Sequence, residues 1–358
     1  MFKVSQLFSA LVSVLALAVF ASSLVAQNDV IQWRDGKQTA KAKVTAYTAR
    51  EIKFRAGGRN QVRASHEVKS VQINAWRELL ARNGEDTEAL IGEAQSQKDP
   101  FLAQIAYFRA AELYREAGAD VDMITVLDAL FKKVPTSAYA PEYFRRKIQI
   151  YLSSAKPRAK DAASAAEKYG AACRQNGWSK GWELDAELWM LRAQSVAKKA
   201  DKSAFVTGLK DLIVRSAGAA DGVATDAMAD LADSYRFQRN YKEARATYKK
   251  LQETGSVGVD TLARVYLGLG YIHLEGAVTA DDEAVSKAAY HLAFRSFLQV
   301  YVNAKAANNN LVAEALYNAA NSCEKWNGLP TCRQMAGRLR GRLKFRALYK
   351  DTSWAKKK

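Results

Sequence analysis

The sequence predicts a mainly α-helical protein in which a small β module precedes an array of helix pairs. Three observations lead there. Residues 28–75 alternate apolar and polar with a period of two and are broken by turn signals. Near Asn74 the period changes to about 3.6 and stays there. From Phe101 onward, large and small side chains recur at the same offsets in successive stretches. A hydrophobic fraction of 49% with only 5 prolines among 358 residues suits an ordered, helix-rich chain.

The elements follow in order. Residues 1–26 have the form of an export signal: Lys3, then the almost wholly apolar Leu7–Ala21, then small residues at Ala21, Ser22, Ser23 and Ala26. An uncleaved anchor is the alternative, because Val4–Ala26 is long enough to span about 30 Å of hydrocarbon. The small residues favour cleavage and a periplasmic or secreted protein. The β module (28–75) reads as five runs, Val30–Trp33, Lys41–Tyr47, Glu51–Phe54, Gln61–Arg63 and Val68–Ile73, with Asp35-Gly36 and Ala56-Gly57-Gly58 as turns. Five short strands in so few residues imply a curved sheet of SH3-like or Sm-like shape.

A connector or degenerate repeat (76–100) holds a helix around Trp76, Leu79 and Leu80, stopped by Asn83-Gly84, and a second over Glu85–Gln97. Asp99-Pro100 starts the next. The array (101–350) then gives six helix pairs. The first carries Tyr107, Ala110, Ala111 and Tyr114, then Met123, Leu127 and Leu130, closed by Pro135. The second has Phe144, Ile148 and Tyr151 with Ala162, Ala166 and Tyr169, and the third Leu184, Leu188 and Leu191 with Phe205, Leu209 and Leu212. The fourth is the most regular: Met228, Leu231, Ala232 and Tyr235, then Ala244 and Tyr248, ending at Ser256. The fifth has Leu267, Gly268 and Tyr271, an insertion around Gly276–Asp282, then Ala293, Phe297 and Val300. The sixth runs Leu311–Trp326 and Thr331 to about Leu348, and 351–358 form a basic tail.

Alanines at these offsets let two helices approach closely while tyrosines fill the space beside them. The order large-x2-Leu-small-x2-Tyr…Ala-x3-aromatic at Met228–Ser256 resembles a tetratricopeptide (TPR) repeat, a helix pair of about 34 residues. The resemblance extends over 101–348, with Met228 where Trp is commonest and Ser256 where Pro is usual. It implies a TPR-like α-solenoid whose concave face, lined by the first helix of each pair, receives a peptide or protein segment. It assigns packing roles to Tyr107, Ala111, Tyr114, Pro135, Leu231, Ala232, Tyr235, Ala244, Tyr248, Tyr271 and Phe297. Its groove register gives Phe108, Glu112 and Arg115 on the first pair and Asp226, Asp233, Arg236 and Phe237 on the fourth. On the fifth it gives Leu262, Val265, Leu269 and His273. The alternative for each is packing of unit on unit.

Catalytic patterns do not emerge. His66, His273 and His291 are not spaced as a metal pair, and Asp281, Asp282 and Glu283 lack calcium-loop spacing. The chain lacks a Gly-rich phosphate loop, a Gly-x-Ser-x-Gly elbow and a Cys-x-x-Cys pair. A non-enzymatic scaffold without cofactor or small-molecule substrate is expected. Cys323 and Cys332 flank a turn and are either a disulfide or two buried thiols, with Cys173 a lone core residue.

The formal charge is +17, from 54 Lys and Arg against 37 Asp and Glu, and only Lys3 is lost with the leader. In an exported chain this suits anionic lipid, acidic polysaccharide or an acidic protein better than nucleic acid, or else a solvated cationic surface. Two segments concentrate the charge. Residues 28–75 hold 10 Lys or Arg and 4 acids interleaved with Trp33, Tyr47 and Phe54. Arg333–Lys350 holds Arg333, Arg338, Arg340, Arg342, Lys344, Arg346 and Lys350 without an acid, around a Met335, Leu339, Leu343 seam. The rival to a peptide-binding scaffold is therefore a cationic protein attached to an anionic envelope surface through these two segments.

Overall fold

The computed structural model describes residues 28–34, 37–153, 156–197, 201–254, 257–346, 348–349 and 352–357. The leader, the Asp35-Gly36 turn, Ser256 and Lys350 lie outside the described residues. The chain divides into two compact units, Met1–Arg146 with Gln175–Ser179, and Lys147–Arg174 with Lys180–Lys358. Fourteen α-helices and one five-stranded antiparallel sheet account for the described residues.

The sheet belongs to the first unit. Strands β1 (Asp29–Trp33), β2 (Gln38–Tyr47), β3 (Glu51–Ala56), β4 (Arg59–Ala64) and β5 (Val68–Gln72) lie in the order β4-β3-β2-β1-β5. Alternation puts Ile31, Trp33, Val44, Ile52, Phe54 and Val68 inside. Gly57 and Gly58 close the β3–β4 hairpin with φ of 57° and 78°, the two positive values a type I′ turn requires. Register shifts at Asp29/Ile31, Gln32/Trp33 and Val44/Ala46 bend the sheet. The buried Asp29 carboxylate accepts from the amides of Val44 (2.7 Å) and Asn74 (2.8 Å), which fastens the sheet to the first helix.

Helices α1 (Asn74–Asn83), α2 (Thr87–Ser96), α3 (Pro100–Glu116) and α4 (Asp120–Lys133) complete most of this unit. Their ends match the sequence signals. Gly84, at φ 61°, terminates α1, and the Asp86 and Asp99 carboxylates cap α2 and α3, with Pro100 at the first position of α3. Trp76 is the anchor: its indole donates to the Phe101 carbonyl (2.8 Å), and its ring lies 5.2 Å from Phe101 and 6.2 Å from Tyr47. Burial pushes the Tyr47 phenol up to about 12, although Arg34 opposes the shift. Tyr107, Ala110, Ala111, Met123, Leu127 and Leu130 are buried between α3 and α4, whereas Tyr114 is half-buried with its hydroxyl near Glu88. The Pro135 carbonyl accepts from the Trp178 indole at 3.0 Å. The division between units falls inside α5 (Ala140–Ser153).

The second unit continues with α6 (Ala159–Gln175), α7 (Lys180–Ser195), α8 (Lys202–Ser216), α9 (Asp221–Phe237), α10 (Tyr241–Glu253), α11 (Val259–Thr279), α12 (Glu283–Asn303), α13 (Asn309–Trp326) and α14 (Cys332–Phe345). From α7 onward, the main packing is between helices one or two apart in sequence. Helix α9 is typical: Leu231 and Ala227 pack with Leu184, Leu188, Leu209 and Leu212, while Met228, Ala229 and Ala232 pack with Ala244, Tyr248 and Val265. Tyr248 and Phe297 are fully buried, and Tyr235 and Tyr271 are partly buried against these cores.

The structure adds detail at three places that the sequence left open. The insertion at Gly276–Asp282 is not a separate loop: α11 runs on to Thr279 and α12 begins at Glu283, so extra helical turns absorb it. Asp282 caps α12 through the Val285 amide at 2.8 Å. Cys323 and Cys332 are free, fully buried thiols and not a disulfide. The described part of the basic tail is held to the core: Trp354 and Ala355 pack on the α13 cluster, Tyr349 is buried, and the Lys357 ammonium lies 3.6 Å over the Trp354 ring. Among the described residues, no helix is long and apolar enough to cross a membrane.

Candidate functional site

On α9, residues 226, 230, 233 and 237 fall four, three and four apart, so they share one stripe of the helix. That stripe carries Asp226, Asp230, Asp233 and Phe237. Asp230 is 8% exposed inside the apolar run Met228–Ala232, where an ionised carboxylate survives only if neighbours compensate it. They come from the flanking helices. Arg192 of α7 donates to Asp230 at 2.7 Å, and Arg264 of α11 reaches both Asp230 and Asp233 at 2.6 Å. Tyr248 of α10 donates its hydroxyl to Asp233 at 2.5 Å, and Thr261 donates to Asp226 at 2.5 Å.

The electrostatics follow from this closed set. Burial alone pushes the Asp230 carboxyl up, but Arg192 and Arg264 outweigh it and hold it below the usual aspartate value. Burial works against the Arg264 cation, and Asp230 and Asp233 more than restore it. Burial and the adjacent Asp233 raise the Tyr248 phenol far above its ordinary value. The charges are thus locked in pairs and neutralise one another.

Above this network opens a cleft of about 360 Å³, lined by residues of α7, α8, α9 and α11. Its apolar walls are Phe205 and Phe237, with Ser195, Ser234 and Gln238 as neutral hydrogen-bonding groups. Phe237 is 73% exposed, and the Arg236 guanidinium lies 4.2 Å over its ring and 5.1 Å from the Tyr271 ring. The polar row continues on α13, where Glu314 accepts from the Tyr271 hydroxyl at 2.5 Å and Asn318 donates to that hydroxyl at 3.0 Å. Burial raises the Glu314 carboxyl despite Tyr271 and Arg236. The site supplies aromatic faces, hydroxyls and amides, a central set of charges bonded to each other, and at its edge Lys202 and Asp201, the latter capping α8 through the Ser203 and Ala204 amides. Among the described residues no cluster of His, Cys, Asp and Glu could hold a metal ion.

The structure gathers Asp226, Asp233, Arg236 and Phe237 around this cleft and network. Phe108, Glu112 and Arg115 sit in the first unit. There Phe108 stacks on Tyr139 at 3.9 Å, and Arg115 is paired to Glu112 at 2.8 Å. On α11 the groove register and the cleft fall on different faces. Leu262, Leu269 and His273 lie well over 100° round the helix from Arg264. Val265 is fully buried, Leu269 packs against the α9–α10 core, and burial and Arg245 of α10 depress the His273 imidazole. What lines the cleft on α11 is Arg264, which the pattern of small and large residues did not single out. Arg192, Asp230 and Phe205 were also missed as cleft residues. The available signal was Asp230 itself, an acid inside an alanine-rich buried run.

The cations of α14 differ in their partners. Arg340 is bonded to Glu324 and Asn321 of α13, and the Arg342 guanidinium lies 5.1 Å from the Tyr301 ring. Arg338, Lys344 and Arg346 are exposed.

No family model matches this chain, and no curated protein does. Among solved structures, the crystal structure of BtubC (BKLC) from P. vanneervenii is similar over 76% of this chain and 94% of that one, at 12% identity and a TM-score of 0.28. That superposition is too loose to bear on fold or function.

Proposed function

We propose that the helices form a TPR-like α-solenoid in an exported, non-enzymatic scaffold, and that the cleft on its first-helix face binds an extended segment of another envelope protein. One observation carries this reading. Three successive first helices, α7, α9 and α11, contribute side chains to a single cleft whose rim holds the 73% exposed Phe237. Packing between helices one or two apart supports the array, because each unit of a repeat protein stacks only on its neighbours. The strand order β4-β3-β2-β1-β5 and its bulges support reading the N-terminal module as SH3-like or Sm-like.

The paired charges set the character of the binding. With Arg192, Asp230, Arg264 and Asp233 occupied by each other and only Asp201 and Lys202 charged at the edge, affinity comes mainly from the aromatic walls and the neutral hydrogen-bonding groups. A photo-crosslinking residue at position 237, compared with one at the exposed Lys249 of α10, tests the assignment in the native cell. Adducts to one defined protein segment at 237, absent at 249, support it. Equal labelling at both positions, or labelling at 249 alone, refutes it. Fractionation of the same cells tests the envelope location.

A further inference from the structure

The outer face of α14 lies apart from the cleft and has a different chemistry. Its inner seam, Cys332, Ala336, Leu339 and Leu343, is buried in the terminal core. Six cations occupy Arg333–Arg346 with no acid among them. Arg340 is neutralised by Glu324, and Arg342 is drawn against Tyr301. Arg338, Lys344 and Arg346 are exposed, with no acidic partner among the described residues. At the same end of the helix Phe345 is 86% exposed and Leu348 57% exposed. Phe345 thus stands in sequence between the exposed cations Lys344 and Arg346, with Leu348 close behind it.

We propose that this end of α14 docks on an anionic lipid bilayer, with Arg338, Lys344 and Arg346 at the headgroups and Phe345 entering the interface. Charge complementarity supplies the attraction, since cations near an anionic bilayer surface add to one another. The choice of lipid over a soluble polyanion rests on Phe345 and Leu348. A polymer of charges gains nothing from apolar side chains, whereas the interfacial zone takes up aromatic rings flanked by Lys and Arg. Gly337 and Gly341, with no atom crowding the position of a Cβ, sit opposite the seam and keep that face low, so that the flanking cations reach the headgroups together.

Flotation of the full chain with vesicles of equal parts phosphatidylglycerol and phosphatidylcholine tests the proposal, with pure phosphatidylcholine vesicles as the reference. Residues 1–27 are common to all variants, so the ratio of variant to wild type is the readout. The triple variant Arg338→Gln, Lys344→Gln, Arg346→Gln should lose about fivefold per cation, roughly a hundredfold in total, on anionic vesicles. Phe345→Ala should lose about tenfold on the same vesicles, and Phe345→Trp should restore binding. These side chains are exposed, so the unfolding curves should match wild type, and a variant that unfolds early is replaced by the Phe345→Trp comparison. Equal binding to both vesicle types, or wild-type flotation of Phe345→Ala and the triple variant, overturns the proposal. Full displacement by heparin with no effect of Phe345→Ala also overturns it, in favour of polyanion binding.

Discussion

Gly268→Ala is a sharp test of how closely α11 approaches α10. A Cβ at position 268 would overlap Cζ and the hydroxyl of Tyr248 and come within 2.7 Å of its Cε2. The ring has nowhere to go, because Tyr248 is fully buried and its hydroxyl is bonded to Asp233. Overpacking costs about 1–3 kcal/mol, and loss of a hydrogen bond to a charged group about 1.5–3 kcal/mol. The better helix propensity of alanine returns about 1 kcal/mol, leaving a net loss of about 2–5 kcal/mol. Gly276→Ala, in the same helix with no atom near the position of a Cβ, should gain about 0.5–1 kcal/mol. Urea unfolding followed by circular dichroism, with unchanged slope, reads both. If Gly268→Ala proved as stable as Gly276→Ala, the close contact of α10 with α11 would be refuted.

Three more outcomes are expected. Arg264→Met leaves Asp230 with Arg192 alone and Asp233 with the Tyr248 hydroxyl and the more distant Arg236, so two adjacent carboxylates lose their shared cation and the cost should approach about 3–5 kcal/mol; adding Asp230→Asn should recover part of it in the same assay. His273 has its folded-state value depressed by burial and Arg245, so the unfolded chain takes up the proton first, and stability falls as pH drops below about 6.5. His273→Gln should flatten that slope in a pH series of unfolding midpoints, whereas the raised Glu314 acts with the opposite sign above 4.5 and is unchanged by the substitution. Burial, with help from Cys332, pushes the Cys323 thiol up to about 12, so iodoacetamide at mildly alkaline pH should label it only after unfolding; rapid native labelling would contradict the burial.

Much of the fold is legible in the chain because local chemistry decides it. Gly57-Gly58 demands its hairpin, Asp99-Pro100 its helix start, and Met228–Tyr248 its close helix pair. The residues that escaped detection depend on distant partners. Asp230 is held by Arg192, 38 positions before it, and by Arg264, 34 positions after it, and no local pattern links the three. The cleft-facing side of α11 escaped for a related reason: Gly268 and Gly270 lie close against Tyr248 and Phe297, with Val265 buried and Arg264 at the cleft, and these partners are on other helices. Gly276 looks like loop, but with open space at 276 the helix continues to Thr279, and only Ala280, Asp281 and Asp282 connect it to α12.

The most direct test of the central claim is calorimetric titration of the segment crosslinked at position 237, at salt from about 0.1 M to 1 M. Because Arg192, Asp230, Arg264 and Asp233 are mutually paired and the two other lining charges, Asp201 and Lys202, are of opposite sign, wild-type affinity should change by less than about threefold across that range, and Phe237→Ala should lose at least about tenfold. Affinity that collapses with salt, or is indifferent to Phe237→Ala, would contradict an aromatic-walled cleft as the binding face.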